Sequence, residues 1–476
     1  MNDRRSWWLI GIVALVLQIP HSMAPWGNGN YPTDICVYMR CAEWLQDGLV
    51  MYRDMFDHKG PLVYMIYQGL AVSGEWLAGG VWLLDLVILY LSMLILYRMA
   101  RLFTDERNGL LITTLLGGLA QLPFTDEGSP EWLVMPGCIY SAYILAKRLK
   151  DHDYCSLTDI ILFTASVAFC LFTKPNTCAG MIPIAGYIVW DLVRRFNLRV
   201  FGRYVLGVAI GLGVILLPVA AWIAQQGNMQ EFIDAYWIFN TEAYAPMTRM
   251  KMIMGKVFVT LVCLPGFYAF GVYAWSAKKR PWELAFMTVT FFFTVLLNAY
   301  LKNGYPHYVA PCMAVFGLVL ALAWPYIQVR KVLYGFTIGL FLLVGIGTFG
   351  ARAYLRLTPF DTSKDQETAL FINSQTDSED YVMVCDIDDR SRWSSMSPSY
   401  SFVYRLWLHL DAKPASPYFY LPPSITDAMR AKSWELQTER MPKYVVCTDE
   451  HEGAYLNIGY TRIQDIQNDY YILQRP

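Results

Sequence analysis

Apolar runs long enough, or nearly long enough, to cross a lipid bilayer fill the first three-quarters of the chain. They lie near 6 to 24, 79 to 97, 108 to 123, 131 to 147, 156 to 173, 177 to 193, 203 to 222, 256 to 277, 282 to 300, 307 to 328 and 332 to 350. In lipid the backbone must satisfy its own hydrogen bonds, so runs of this kind fold as packed helices. They predict an all-α polytopic membrane protein with about eleven spans. A composition of 55% hydrophobic and 16% charged residues agrees with this. The 38 basic and 39 acidic side chains leave no basic field, so nucleic acid is not an expected partner. Any anion must be met by individually placed cations.

The basic residues set the orientation. Arg4 and Arg5 precede the first run and predict a cytoplasmic N-terminus. Arg98/Arg101/Arg107, Lys147/Arg148/Lys150, Arg194/Arg195/Arg199/Arg203, Lys278/Lys279/Arg280 and Arg330/Lys331 then fall in alternate loops on the same side. The first run has no small-residue cleavage site and is expected to remain as an anchor. The stretch from Pro61 to Gly74 is apolar but short, and Gly74-Glu75 breaks it. Counting it as a span would turn every later basic cluster outward, so it is predicted to lie in the outer interface.

Residues 1–350 thus form a transmembrane domain and residues 351–476 an extracytoplasmic tail of soluble composition. Helix-like stretches near 364 to 376 and 424 to 437 alternate there with the apolar runs Tyr381 to Val384 and Tyr444 to Val446, which predicts a small α/β domain. Ten cysteines show no zinc spacing, and most lie in apolar runs. Cys385 and Cys447, which end the two strand-like runs, are expected as buried thiols on neighbouring strands.

The outward loops hold nearly all the unusual polar residues: Asp34, Asp57-His58-Lys59, Asp126-Glu127 with Glu131, Lys174-Pro175-Asn176, and Lys302 through His307 and Tyr308. Charge beside a span is costly unless it serves chemistry. Carboxylates and cations gathered at one face suit a site where an anionic headgroup is held and a proton is removed. Thr33 as N-cap and Gly48 as stop predict a helix from Asp34 to Asp47. Ile35, Tyr38, Ala42 and Leu45 share its apolar face, Arg40, Glu43 and Asp47 the polar one, and Asp34 sits at the edge. An acidic residue in a first turn also answers the helix dipole, and on position alone the two readings stand level.

Asp34, followed by Tyr52-Arg53-Asp54 and the segment Phe56-Asp57-His58-Lys59-Gly60-Pro61-Leu62, resembles the GT-C glycosyltransferase superfamily over the first third of the chain. That superfamily comprises polyprenyl-phosphate-sugar enzymes such as protein O-mannosyltransferases and lipid A aminoarabinose transferases. Weaker similarity appears at Glu127, Lys174 and His307-Tyr308. The resemblance implies a multi-pass enzyme of a bacterial plasma membrane. Its donor would be a polyprenyl-phosphate sugar, its acceptor a glycan, lipid or protein, and transfer would proceed with inversion at the extracytoplasmic face among membrane lipids.

In such an enzyme Asp34 deprotonates or orients the acceptor, and Glu127 matches a second acidic position, with Asp126 and Glu131 beside it. Asp57, His58, Lys59, Lys174, His307 and Tyr308 become substrate-binding candidates, Lys59 first among them for the lipid phosphate. Lysines that end spans also snorkel without binding anything. Some branches of the superfamily bind a divalent metal. Here the first-loop Asp lacks a paired carboxylate two residues away, so no metal is assigned and the cofactor question stays open. Tyr236, Trp237, Phe239 and Tyr244 suit either sugar stacking or an interfacial aromatic belt. Asp386-Ile387-Asp388-Asp389 is read as a solvated loop. A transporter or flippase for a lipid-linked glycan is the competing class, but it should carry ionisable residues on both faces and at the midplane.

Overall fold

A computed structural model describes the chain except residues 1–2, 122–126, 244–248, 301–305, 378, 386–397, 421–425 and 467–469. The chain is a multi-pass membrane protein. Among the described residues six helices are long and apolar enough to cross a membrane: Gly74–Arg101, Leu198–Gln226, Gly255–Ser276, Pro281–Tyr300, His307–Ile327 and Lys331–Leu357. The other expected spans fall on helices Asp3–Leu17, Glu106–Leu119, Pro130–Asp151, Leu157–Thr173 and Met181–Arg194. The His307–Ile327 helix is the most enclosed of the six.

The helix Pro61–Ala71 has 11 residues. At about 1.5 Å per residue it reaches roughly half the ~30 Å of a hydrocarbon core, too short to cross it. Proline at its first turn costs nothing, since that N–H has no intrahelical partner.

Two boundaries differ from expectation. The first helix ends at Leu17, and the chain through His21 and Ser22 turns back to bond buried side chains. The last membrane helix continues past 350 to Leu357, because Arg352 and Arg356 on its final turns face buried Glu127. Between Thr173 and the next membrane helix lies a 3-10 run, Pro175–Gly180, where a tight turn was expected.

The tail forms a five-stranded sheet: β1 Tyr381–Val384, β2 Lys413–Pro414, β3 Tyr444–Thr448, β4 Thr461–Asp465 and β5 Tyr470–Gln474. Its order is β2-β1-β3-β5-β4. The β2, β1 and β3 strands are parallel, and β5 runs antiparallel to β3 and β4. Helices Ser363–Asn373, Pro398–His409, Asp427–Arg440 and Asp449–Leu456 supply its α layer. Cys385 and Cys447 are buried free thiols at neighbouring parallel strands.

The tail packs onto the segment that follows the first helix. Its helix Pro398–His409 lies against the helix Thr33–Gln46, where Trp44 meets Trp407 edge-on at 5.5 Å and Phe419 at 4.9 Å. Arg40, read from the sequence as part of a polar face, is 6% exposed. It hydrogen-bonds the Leu410 carbonyl, pairs with Glu43 at 3.0 Å and lies over the Trp44 ring. The tail thus contributes one acceptor, the Leu410 carbonyl, to a buried guanidinium whose other neighbours, Glu43 and Trp44, lie on its own helix.

Candidate active site

Asp34 stands in the first turn of the Thr33–Gln46 helix. Thr33 is inside the helix and makes no capping bond, the N-cap being Pro32 one residue earlier than expected. The Asp34 carboxylate keeps 41% of its side-chain exposure, accepts from Tyr38 OH at 3.3 Å and lies 3.6 Å from Lys59 Nζ. It is the most open carboxylate of the cluster described below.

The segment after that helix is built to present Lys59. Tyr52 adopts a left-handed backbone, φ 68°, a conformation unusual for a bulky residue. Its N–H bonds the Met55 carbonyl at 2.8 Å, and its hydroxyl donates to the Lys59 carbonyl at 2.9 Å, which ties the turn to the site. Arg53 and Asp54 pair with one another at the surface. Gly60 donates to the Thr173 carbonyl at 3.0 Å, and a Cβ on it would sit 2.1 Å from the Phe172 carbonyl oxygen. Only glycine lets the loop lie on the end of the Leu157–Thr173 helix, which brings Lys59 beside the loop of Lys174.

Asp57 is fully buried. It accepts from Tyr64 OH, from the His58 N–H at 2.6 Å and from Tyr420 OH of the tail at 2.6 Å, with Lys59 Nζ 3.8 Å away. Burial alone would raise its pKa. The Lys59 ammonium and the donors from His58 and Tyr420 outweigh that and hold the carboxyl far below the usual carboxylate range. Burial and the Lys59 charge push His58 the other way, below its ordinary value, which favours a neutral ring. The His58 carbonyl takes a bond from Asn240 at 2.8 Å, and its ring packs on Phe239.

A second group adjoins the first. Lys174, at the end of the Leu157–Thr173 helix, pairs with Glu131 in the first turn of the Pro130–Asp151 helix and lies 4.2 Å over the Tyr308 ring. His307 Nε2 approaches Glu131 at 3.8 Å and is within electrostatic reach of Asp34 and Lys59. Glu131 Oε2 is buried without a hydrogen-bond partner among the described residues. An open acceptor of that kind suits a ligand donor.

Glu127 has different company. Its enclosed carboxylate bonds Ser22 through both backbone N–H and hydroxyl, lies 3.6 Å from His21, 3.2 Å from Arg352 and 3.4 Å from Arg356. Burial would raise its pKa, but His21, the two arginines and the Ser22 bonds bring it down to about 2. Asp85 completes the network, 3.1 Å from His21 and accepting from the Gly128 N–H at 2.7 Å.

Asp126 and the 302–305 stretch lie outside the described residues, as do Tyr244 and Asp386 to Asp389. Tyr236 and Phe239 are buried packing residues rather than a stacking platform, and Trp237 remains part-exposed. Sequence reasoning missed Tyr64, Tyr420, Asp85 and Arg352. Asp85, a charge inside an apolar run, was the one readable signal. Among the described residues no three His, Cys, Asp or Glu side chains are grouped so as to hold a metal ion.

Comparison with solved structures places this arrangement in a known fold. ArnT from Cupriavidus metallidurans in the apo state matches with a TM-score of 0.61 at 11% identity, covering 99% of this chain and 98% of that one. The same protein bound to undecaprenyl phosphate matches with 0.61 at 12%, covering 98% and 97%. The Archaeoglobus fulgidus oligosaccharyltransferase in the apo form gives 0.55 at 13%, covering 95% of this chain and 70% of that one. The mycobacterial arabinofuranosyltransferase AftD gives 0.56 at 14%, covering 99% and 40%. No family model matches the chain, and no curated protein does. The chain therefore has the fold of the GT-C membrane glycosyltransferases.

Proposed function

We propose that this protein is an inverting glycosyltransferase that takes a sugar from a polyprenyl-phosphate donor and passes it to an acceptor at the outer face of a bacterial plasma membrane. The observation that carries the reading is Asp34, an accessible carboxylate 3.6 Å from a lysine ammonium in the first outer loop. The fold, shared with an ArnT bound to undecaprenyl phosphate, supports it.

In this reaction the acceptor hydroxyl or amine gives its proton to Asp34. Its lone pair forms a bond to the anomeric carbon from the face opposite the phosphate. The bond from that carbon to the phosphate oxygen breaks, and the electron pair leaves with polyprenyl phosphate. Lys59 and Lys174 answer the phosphate charge as point cations. Glu131 Oε2 accepts from a sugar hydroxyl, and His307 and Tyr308 shape the pocket beside it. Asp57 and His58 hold Lys59. Glu127 acts through the fold, because its partners leave the carboxylate no room for substrate.

The test is transfer by purified protein from polyprenyl-phosphate sugars, read as released polyprenyl phosphate and as the anomeric configuration of the product. Asp34→Asn should lower turnover by roughly 10² to 10⁴ with expression and thermal stability retained. Wild-type turnover in that variant would remove Asp34 from the chemistry. Retention of configuration would remove the single-displacement scheme. Mass spectrometry of polyprenyl-phosphate sugars in cells lacking the protein would identify the donor as the species that accumulates.

A further inference from the structure

The turn between the helices Met181–Arg194 and Leu198–Gln226 carries Arg194, Arg195, Arg199 and Arg203, and no acidic residue follows Asp191 until Glu231. Asp191 is already shared by Arg148 and Arg195, and Arg194 lies over the Trp190 ring. Asp159, in the adjoining helix Leu157–Thr173, is taken by Lys147, by Tyr140 and by the Ser156 N–H. The Arg199 and Arg203 guanidinium groups have no ion pair, hydrogen bond or ring contact among the described residues.

Three effects act against this pair. Arg199 and Arg203 stand four residues apart on one helix face, where like charges repel. Both lie in the first two turns of their helix, whose N-terminal dipole disfavours cations. Arg203 is part-buried, with its Nε enclosed and unpartnered. That burial follows from close packing. A Cβ on Gly207, one turn further on, would sit 2.7 Å from Ile160, and Tyr204 OH accepts the Cys155 N–H at 2.8 Å. The start of this helix is thus pressed onto the start of Leu157–Thr173, with Arg203 on the Gly207 side. Orientation of the chain requires basic loops but none of these three penalties. A bound anion offsets all of them.

The helix Leu198–Gln226 has 29 residues. At ~1.5 Å per residue it is about 43 Å long against the ~30 Å of a hydrocarbon core, so roughly nine residues extend into headgroup regions. Just past its far end, Asn228 donates to the Met51 carbonyl at 2.7 Å, which puts that end beside the segment carrying Lys59. Arg199 and Arg203 are therefore at the opposite end of the helix from the candidate active site. Among the arginines stand Phe196, Leu198 and Phe201, all exposed, with the two phenyl rings 6.2 Å apart. Free phosphate makes no use of that apolar surface, whereas a lipid offers a phosphate beside acyl chains.

We propose that Arg199 and Arg203 bind the phosphate headgroup of an anionic phospholipid, with Phe196, Leu198 and Phe201 against its acyl chains, at the membrane face opposite the candidate active site. This lipid is separate from the sugar donor, and the site stands whether or not the protein transfers sugars.

The experiment uses the full-length protein in detergent with phosphatidylglycerol or with phosphatidylcholine of the same acyl chains. It reads retained lipid by native mass spectrometry, together with the thermal midpoint. The wild type should hold phosphatidylglycerol at least about tenfold more tightly and unfold at a higher temperature with it, as charge-assisted bonds to the headgroup require. Arg199→Gln/Arg203→Gln should lower that affinity about tenfold or more and abolish the thermal gain, while its midpoint in phosphatidylcholine stays at the wild-type value, since no protein contact is lost. Arg199→Gln alone alters an exposed side chain, so it should fold, and should lower the affinity about threefold or more. Lys278→Gln/Lys279→Gln removes as much charge from another basic loop and should leave retention unaltered.

Equal retention of the two lipids by the wild type would overturn the proposal, as would wild-type affinity in the arginine variants. So would an equal fall in the Lys278/Lys279 variant, because a general field of positive charge would then account for binding. Displacement of the lipid by inorganic phosphate would make this a site for the free anion and would overturn the lipid assignment.

Discussion

The three carboxylates Asp34, Asp57 and Glu127 differ in environment, and the roles proposed for them follow that difference. Asp34 is half-exposed, Asp57 is saturated by donors, and Glu127 is enclosed with two guanidinium groups. Removing the charge at Glu127 strands Arg352 and Arg356. Glu127→Gln should therefore cost about 3 to 5 kcal/mol of stability, the usual effect of breaking a buried pair by deleting one partner. Thermal unfolding in detergent checks this. An unchanged midpoint would make the network dispensable.

The same residue predicts a pH dependence. Its pKa in the fold, about 2, lies below the ordinary glutamate value. A depressed carboxylate stabilises the fold above the unfolded pKa, near 4.3, and that stabilisation is lost as pH falls toward 2. Wild-type stability should drop across that window by more than that of Glu127→Gln. Parallel acid profiles for the two proteins would contradict the assignment.

At the scale of elements, the site is a meeting of loop ends rather than the product of one motif. The Asp57 to Pro61 segment reaches Lys174 because Gly60 lies against the carbonyl end of the Leu157–Thr173 helix. A methyl group there must push the two apart by more than an ångström to reach ordinary contact. Gly60→Ala should lower transfer at least about tenfold, since misplacing a positioned group by ~1 Å can cost 10²-fold. The helices should remain folded, so circular dichroism should be unchanged while donor affinity falls. Wild-type activity would mean that the close approach is not needed.

For the whole molecule, the topology expected from the alternating basic loops, with Pro61–Ala71 not counted as a span, puts the tail on the outer side, and this is open to test. A reporter fused after residue 358 should be active only outside the cytoplasm. Cytoplasmic activity would require one span more or fewer between the two termini. The tail also covers Arg40 and Trp44 of the Thr33–Gln46 helix. Deleting residues 359 to 476 should thus expose Arg40 and Trp44 and abolish transfer, not merely change acceptor choice.

The class of fold was legible in the sequence, because a lipid solvent leaves few solutions for long apolar runs and because basic loops order them. The cluster of Asp34, Lys59, Lys174, Glu131 and His307 was legible too, since charge beside a span is expensive and stands out. The partition of roles among the acidic residues was not. Glu127 and Glu131 sit four positions apart in sequence, yet one packs against Arg352 and Arg356, more than two hundred residues away, and the other against Lys174 and His307. Arg40 read only as part of a polar face because helical periodicity describes one helix and cannot see the Leu410 carbonyl that covers it. Tyr420 carried no signal at all, being one aromatic among 32 tyrosines. Burial and hydrogen-bond saturation depend on which distant segments meet, and only the packed chain decides that. Sequence determined which charges stand in the loops between the apolar runs; tertiary structure determined which of them are enclosed and which stay exposed.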